Sequence, residues 1–225
     1  KDLPVLSTVQ AVQGVTYPAL SRMAEDKERL KEGYMRIVRM VSFILFPAML
    51  GLIAIAPDMF MLLLGEKWMP TVPFFEILAL AGLAYPLAVV SYNILKVLSD
   101  GRVILRLEIL KRVIMTLMLL YTIPRGIESV AWGMSAMALV EFIINGIAAC
   151  RYLNIGFGCV MLSIVPSLLL AAMMLAALWL GRDMVTDMGV GMRLMVMIVA
   201  GAVIYAMLAI IFRLRALKEI RKVRK

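Results

Sequence analysis

Residues 160–180 read VMLSIVPSLLLAAMMLAALWL, a run of 21 residues without one charged side chain. A helix of this length rises about 31 Å at about 1.5 Å per residue, which matches the hydrocarbon thickness of a bilayer. The run is continuously apolar and lacks the alternation of lipid-facing and lumen-facing residues that marks a membrane β-strand. The stretch therefore predicts a transmembrane α-helix.

Similar runs on both sides extend this prediction to an all-α, polytopic transmembrane helical bundle. The six predicted spans cover residues 40–56, 74–95, 103–123, 129–150, 160–180 and 194–212. Upstream, residues 3–20 carry no charge, but Ser7, Gln10, Gly14 and Tyr17 recur at spacings of three and four, which places them on one helical stripe. We expect this stripe to face protein or a water-filled cavity, and Gln10 is a candidate cavity residue.

The composition excludes several classes of protein. Of the 225 residues 63% are hydrophobic, and the mean hydropathy is +0.94, far above the values of soluble enzymes. The chain has no histidine, which excludes zinc sites built on histidine and removes the commonest general acid or base near neutral pH. Cys150 and Cys159 lie nine positions apart and match no redox motif. We expect no catalytic residue, metal or cofactor, and thus no enzyme.

The basic residues predict the orientation in the membrane. Of the 24 Lys and Arg residues, 19 fall on one side of the predicted spans and five on the other. Cytoplasmic loops carry such an excess, so the +9 net charge reflects sidedness and not binding to nucleic acid. The predicted organisation is a partial cavity-facing helix (1–22), a charged cytoplasmic segment (23–39), the six-helix bundle (40–212) and a basic cytoplasmic tail (213–225). The C-terminus is therefore expected in the cytoplasm.

Ionisable groups inside the spans are candidates for function, because each costs at least about 2.5 kcal/mol at the centre of a bilayer. Glu141 lies well inside the fourth span, with Asn145 one turn later. Glu141 is either a cavity carboxylate that binds a proton, a cation or a substrate hydroxyl, or a protonated acid bonded to a neighbouring helix.

Two further groups of polar residues are candidates for contact with a substrate. In the second span, Tyr85, Tyr92 and Lys96 share one helical stripe, with Asn93 at its edge. Such groups suit sugar or phosphate, although tyrosines also simply pack between helices. The third span begins with a charged stretch that includes Glu108, Lys111 and Arg112. These charges either reach back to the cytoplasmic interface or line an aqueous cavity that receives a phosphate group.

Several sequence elements resemble one known family. YPALSR at 17–22 is followed by EDKERLKEGYMRIVRM at 25–40, LLGEKW at 63–68 and ILRLEILKRVI at 104–114. In this order they are similar to the polysaccharide-transport branch of the multidrug, oligosaccharidyl-lipid and polysaccharide exporter superfamily, the Wzx-like flippases. The resemblance is strongest over residues 17–112 and fades to hydropathy and spacing over the last two helices.

The resemblance implies the C-terminal lobe of a two-lobed exporter in the bacterial inner membrane, with the N-terminal lobe of the same protein missing from this chain. It implies transport of a lipid-linked oligosaccharide on an isoprenoid diphosphate, by alternating access, in surface polysaccharide (lipopolysaccharide or exopolysaccharide) biosynthesis. The predicted partners are this substrate, membrane lipids and the missing lobe. The alternatives are a membrane glycosyltransferase or polysaccharide polymerase, and a small-molecule exporter of the same superfamily.

Overall fold

The computed structural model describes residues 16–212, and every regular element in that range is helical. The α-helices are α1 (16–21), α2 (Lys27–Leu63), α3 (Val72–Leu98), α4 (Gly101–Thr122), α5 (Ile127–Tyr152), α6 (Phe157–Gly181) and α7 (Val190–Ile211). Short 3-10 segments at Glu66–Thr71, Ile123–Arg125 and Arg182–Val185 connect consecutive helices. Gln10 and the basic tail at 213–225 lie outside the described residues.

Five of these helices are long and apolar enough to cross a membrane, namely α2, α3, α5, α6 and α7. The prediction of an all-α polytopic bundle is confirmed, and the chain is a multi-pass membrane protein. α4 coincides with the predicted span at 103–123. It is not one of these five helices, because it carries four charges between Arg106 and Arg112. That α4 also crosses the membrane stays a prediction.

α2 is longer at both ends than the predicted span at 40–56. It begins at Lys27 because the Asp26 carboxylate caps the helix, accepting hydrogen bonds from the Glu28 and Arg29 amides at 3.1 Å each. Its 37 residues rise about 55 Å, more than a bilayer needs, so its charged first part projects beyond the hydrocarbon. The charged segment is thus mostly helical.

The outer end of α2 also differs from expectation. The predicted span ends at residue 56, yet the helix continues to Leu63. A proline removes one backbone donor, and the apolar residues that follow it continue the helical pattern. The helix ends before Gly65, whose φ of 85° is a backbone conformation that glycine adopts readily.

α2 is the centre of the bundle. It packs against α3 on one side and against α6 and α7 on the other, while α3 forms its most extensive interface with α5. α4 contacts mainly α5 and touches α3 only lightly, so it is the most peripheral of the long helices. Buried polar contacts tie α2 to α3, since the Tyr34 hydroxyl lies 2.9 Å from Ser91 Oγ and both side chains are fully buried.

A tyrosine compensates the backbone defect that Pro47 creates in α2. Proline has no amide hydrogen, so the carbonyl of Phe43, four residues earlier, loses its helical donor. The Tyr205 hydroxyl of α7 donates to this carbonyl at 2.9 Å, and the Phe43 and Tyr205 rings lie 5.3 Å apart. α7 is therefore joined to α2 at the position of the proline.

Candidate functional site

The tyrosine stripe of α3 faces the charged part of α4. Tyr92 is half-buried, and Lys96, one turn later on the same stripe, holds its ammonium 4.8 Å from the centre of the Tyr92 ring. The Lys111 ammonium of α4 lies 5.1 Å from the same ring centre. One aromatic ring therefore lies between two cations, a contact that the negative faces of the ring favour.

Lys111 is one of the two buried residues of α4. Its side chain is 6% exposed, and its ammonium lies 2.5 Å from Glu108 Oε1 in a salt bridge. A buried lysine is costly unless it is paired, and Glu108 supplies that pair. The Lys111 charge is therefore balanced by a carboxylate of the same helix, and its contact with a phosphate stays a prediction.

Arg112 has the opposite environment. Its side chain is 79% exposed, and its guanidinium reaches Glu108 Oε2 only at 4.0 Å. It lies on the surface of α4 among mainly apolar side chains of the same helix. These residues are Leu105, Ile109, Val113 and Leu117, together with the polar Glu108 and Thr116. Arg112 thus keeps an accessible charge beside an apolar surface.

Glu141 of α5 lies close enough to Lys111, Glu108 and Arg112 to interact with their charges. Tyr85, 36% exposed, likewise interacts with Glu141, Arg112 and Glu108. Glu141 is half-buried, and its carboxylate has no hydrogen bond or salt bridge within residues 16–212. The hydrogen bond to a neighbouring helix that we considered for Glu141 is thus not formed in the described structure.

The structure brings seven of the predicted residues to one region, which we call the polar cluster. Its members are Tyr85, Tyr92 and Lys96 of α3, Glu108, Lys111 and Arg112 of α4, and Glu141 of α5. Lys111 lies about 15 Å along α4 from its start and Glu141 about 17 Å from the end of α5. Both distances correspond to roughly half the hydrocarbon thickness. Lys111, Arg112 and Glu141 therefore lie near the middle of α4 and of α5, whereas Lys96 lies in the last turn of α3.

Asn93 and Asn145 do not join the polar cluster. Asn93 Nδ2 donates to Thr16 Oγ1 at 2.7 Å, and Asn145 Nδ2 donates to the Ala88 carbonyl at 3.3 Å. Both side chains are buried, and the Oδ1 atom of each has no hydrogen-bond partner in the described range. Asn93 thus joins α3 to α1, and Asn145 joins α5 to α3.

One ion pair was not foreseen from the sequence. Asp58, near the end of α2, is 2% exposed and pairs with the guanidinium of Arg193, in the first turn of α7. Sequence analysis placed both residues on the outer side, but 135 positions separate them and no spacing rule connects them. Only the packing of α7 against α2 brings the two charges together.

The polar cluster has the chemistry of a binding surface. It offers two accessible cations, Lys96 and Arg112, two phenols and one carboxylate without a bonded partner. Within residues 16–212 no group of three potential metal ligands occurs. Cations beside apolar helix surfaces suit an anionic group attached to a hydrocarbon chain.

The chain is similar to proteins of polysaccharide biosynthesis. Residues 1–73 match the family described as "Polysaccharide biosynthesis protein", and this segment contains both the YPALSR and LLGEKW elements. No solved structure matches the chain.

Three curated relatives carry informative names. The chain is 26% identical to the teichuronic acid biosynthesis protein TuaB of Bacillus subtilis, over 92% of this chain and 44% of TuaB. It is 30% identical to the lipopolysaccharide biosynthesis protein WzxC of Escherichia coli, over 36% of this chain and 16% of WzxC. It is 31% identical to the succinoglycan biosynthesis transport protein ExoT of Rhizobium meliloti, over 36% and 16% of the two chains. The chain thus spans less than half the length of these relatives, and the resemblance found in its sequence is confirmed.

Proposed function

Because this chain is related to Wzx-like polysaccharide exporters, we propose that it forms the C-terminal lobe of a flippase for lipid-linked oligosaccharides. In the complete protein an N-terminal lobe forms the other wall of a central cavity. The cargo is a sugar chain on an isoprenoid diphosphate, and it moves from the inner to the outer leaflet. Transport needs two alternating conformations and no covalent chemistry, so the protein acts without catalytic residues, metal or cofactor.

The observation that carries this proposal is the depth of the polar cluster. Charged residues inside a membrane bundle are costly and usually mark a path for ions or substrate. Here α4 and α5 hold two basic and two acidic groups about 11 to 17 Å from the helix ends at residues 101 and 152, and Lys96 joins them from the last turn of α3. The cluster supplies polar contacts where a sugar diphosphate crosses the apolar interior.

The members of the cluster take different roles in this proposal. Lys96 and Arg112, whose charges are accessible, bind the diphosphate, and the planar guanidinium of Arg112 matches two phosphate oxygens. Lys111, which is buried and paired with Glu108, holds the Tyr92 ring in place. Tyr85 and Tyr92 present aromatic faces and hydroxyls to sugar rings.

Glu141 is the member of the cluster whose carboxylate has no bonded partner in the described structure, and it binds a sugar hydroxyl, a proton or a cation. Gln10, Asn93 and Asn145 remain candidate lining residues of the assembled cavity. For Asn93 and Asn145 this role requires their buried carbonyl oxygens to become accessible when the helices move.

The excess of basic residues on one side supports a location in the bacterial plasma membrane with the charged start of α2 and the C-terminus in the cytoplasm. Lys96 and the first half of α4 then lie towards the cytoplasmic side. A substrate made at the inner leaflet meets these cations first.

The test replaces each accessible basic residue by glutamine in the complete protein. Lys96→Gln and Arg112→Gln each remove a charge-assisted contact of about 1.5 to 3 kcal/mol, so each variant should export substrate at least about tenfold more slowly. Lys27→Gln and Arg29→Gln are the matched controls, because both side chains are exposed on α2 before the apolar span. Equal export by all four variants at equal protein level would refute the assignment.

The same experiment separates the alternative functions. Loss of a flippase leaves the lipid-linked precursor in the inner leaflet, where an impermeant sugar-oxidising reagent does not reach it. Loss of a polymerase leaves single repeat units exposed on the outer leaflet, and loss of a glycosyltransferase leaves a truncated precursor. Loss of a small-molecule exporter would leave polysaccharide export unchanged.

A further inference from the structure

A groove lies between α4 and α5 at the ends of the helices, and none of its five lining residues belongs to the polar cluster. Its volume is about 380 Å³, within the size range of small-molecule sites. The first two turns of α4 and the last turns of α5 form its walls. The lining residues are Val103, Leu107, Ala148, Arg151 and Tyr152.

The composition of this groove is that of an amphipathic ligand site. Val103, Leu107 and Ala148 provide the apolar part of the lining, while Arg151 and Tyr152 provide polar groups. No acidic residue lines it. The groove therefore combines an apolar surface with one positive charge that is not balanced by a lining carboxylate.

Further positive charge lies beside the groove. Arg102 and Arg106 are exposed, and each directly precedes a lining residue of α4. The start of α4 adds the positive end of its helix dipole, and no side chain caps its first amides. The nearest acidic residues along the chain are Glu108, which directly follows the lining residue Leu107 and is paired with Lys111, and the exposed Asp100, just before the helix. Three arginines and one helix start thus favour an anion at this position.

We propose that this groove binds an anionic phospholipid of the membrane in which the protein resides. Arg151 and Tyr152 contact the phosphate, Arg106 and Arg102 add attraction at the rim, and the first methylenes of an acyl chain pack on Val103, Leu107 and Ala148. Basic pockets between transmembrane helices on the cytoplasmic side recognise lipid headgroups in this way. The bound lipid fills the space between the ends of α4 and α5.

The position of the groove favours a resident phospholipid over the transported substrate. Val103 and Leu107 lie about 3 Å and 9 Å from the start of α4, nearer that helix end than Lys111 at about 15 Å. The groove lacks the accessible lysine, the acidic groups and the depth of the polar cluster. The site is thus separate from the proposed transport path, and either assignment can fail without the other.

Native mass spectrometry of the complete detergent-solubilised protein tests the proposal, with phosphatidylglycerol and phosphatidylcholine as probes. The protein should retain one phosphatidylglycerol in preference to phosphatidylcholine. Each basic residue near a headgroup contributes about 1 kcal/mol, so Arg151→Gln should weaken this binding about fivefold and Arg106→Gln with Arg151→Gln about thirtyfold.

Two further variants distinguish a groove from general surface charge. Val103→Trp fills the groove without changing the charge and should abolish the retained lipid, and α4 tolerates the change because it is peripheral. Arg22→Gln removes an exposed arginine outside the groove and should leave the retained lipid unchanged.

Normal lipid retention by Val103→Trp, or equal loss in Arg22→Gln and Arg151→Gln, would overturn the proposal. Displacement of the lipid by farnesyl diphosphate would also overturn it, because the groove would then belong to the substrate path.

Discussion

The buried ion pair between Asp58 and Arg193 should be one of the strongest single contributors to the docking of α7 on α2. The Asp58 side chain is 2% exposed and that of Arg193 20%, so neither charge is well solvated if its partner is lost. Asp58 Oδ2 and Arg193 Nε have no hydrogen-bond partner in the described range. Removal of one partner would therefore leave a nearly unsolvated charge.

The size of the effect follows from this burial. Breaking a buried pair by removing one member costs about 3 to 5 kcal/mol, whereas replacing both members by apolar residues of similar volume is often neutral or stabilising. For a chain of this size, 1 kcal/mol shifts Tm by roughly 2 to 4 °C. Asp58→Ala should thus lower Tm by roughly 6 to 20 °C. The double variant Asp58→Leu with Arg193→Met should remain near the parent.

The measurement is a double-mutant cycle on the complete protein in detergent, with Tm followed by tryptophan fluorescence. Asp58→Ala, Arg193→Ala and the combination should give a coupling energy of at least about 2 kcal/mol. The exposed pair of Lys31 and Glu28, 3.6 Å apart on α2, is the control and should couple by less than about 1 kcal/mol. Additive losses at Asp58 and Arg193 would refute the reasoning, because the two residues would then act independently.

Three other predictions concern single residues. Glu141→Gln should reduce export by the complete protein at normal protein level. Glu141→Asp, which keeps the charge, should retain part of the export activity. Normal export by Glu141→Gln would show that the carboxylate has no transport role. Cys159 is exposed and Cys150 is buried. An impermeant thiol reagent should therefore label Cys159 from the cytoplasmic side and leave Cys150 unlabelled. Labelling of Cys159 in intact cells would show that the predicted orientation is wrong. Tyr205→Phe should destabilise the protein by about 1 kcal/mol, and Pro47→Ala in the same chain should recover part of this loss by restoring a backbone donor; an unchanged deficit in unfolding assays would show that the hydroxyl acts elsewhere.

Much of the fold could be predicted because the membrane imposes strong local rules. A charge-free run such as 160–180 must satisfy its own backbone hydrogen bonds in lipid, and a helix does so without any other segment. The Asp26 cap and the break at Gly65 are local as well, although the helix end after Pro57 was placed too early. The stripe formed by Tyr85, Tyr92 and Lys96 follows from helical periodicity alone.

The candidate site was predictable as a set of residues but not as an arrangement. Periodicity put Glu108 within reach of both Lys111 and Arg112, since residues three and four apart share a helix face. It could not tell which of the two cations is buried. The packing of α4 decides this, because it buries Lys111 beside Tyr92 of α3 and leaves Arg112 exposed.

The sequence by itself determined the helical class, the predicted spans and the asymmetry of basic residues, because hydropathy, length and charge act on each segment separately. Only the tertiary structure decided which polar groups meet. Asp58 meets Arg193 across 135 positions, and Tyr205 meets the Phe43 carbonyl across 162. Lipid is as apolar as the helix surfaces, so hydropathy gives no preference among the possible packings of the helices. Shape complementarity and a few buried polar contacts make that choice, and they exist only once the helices are assembled.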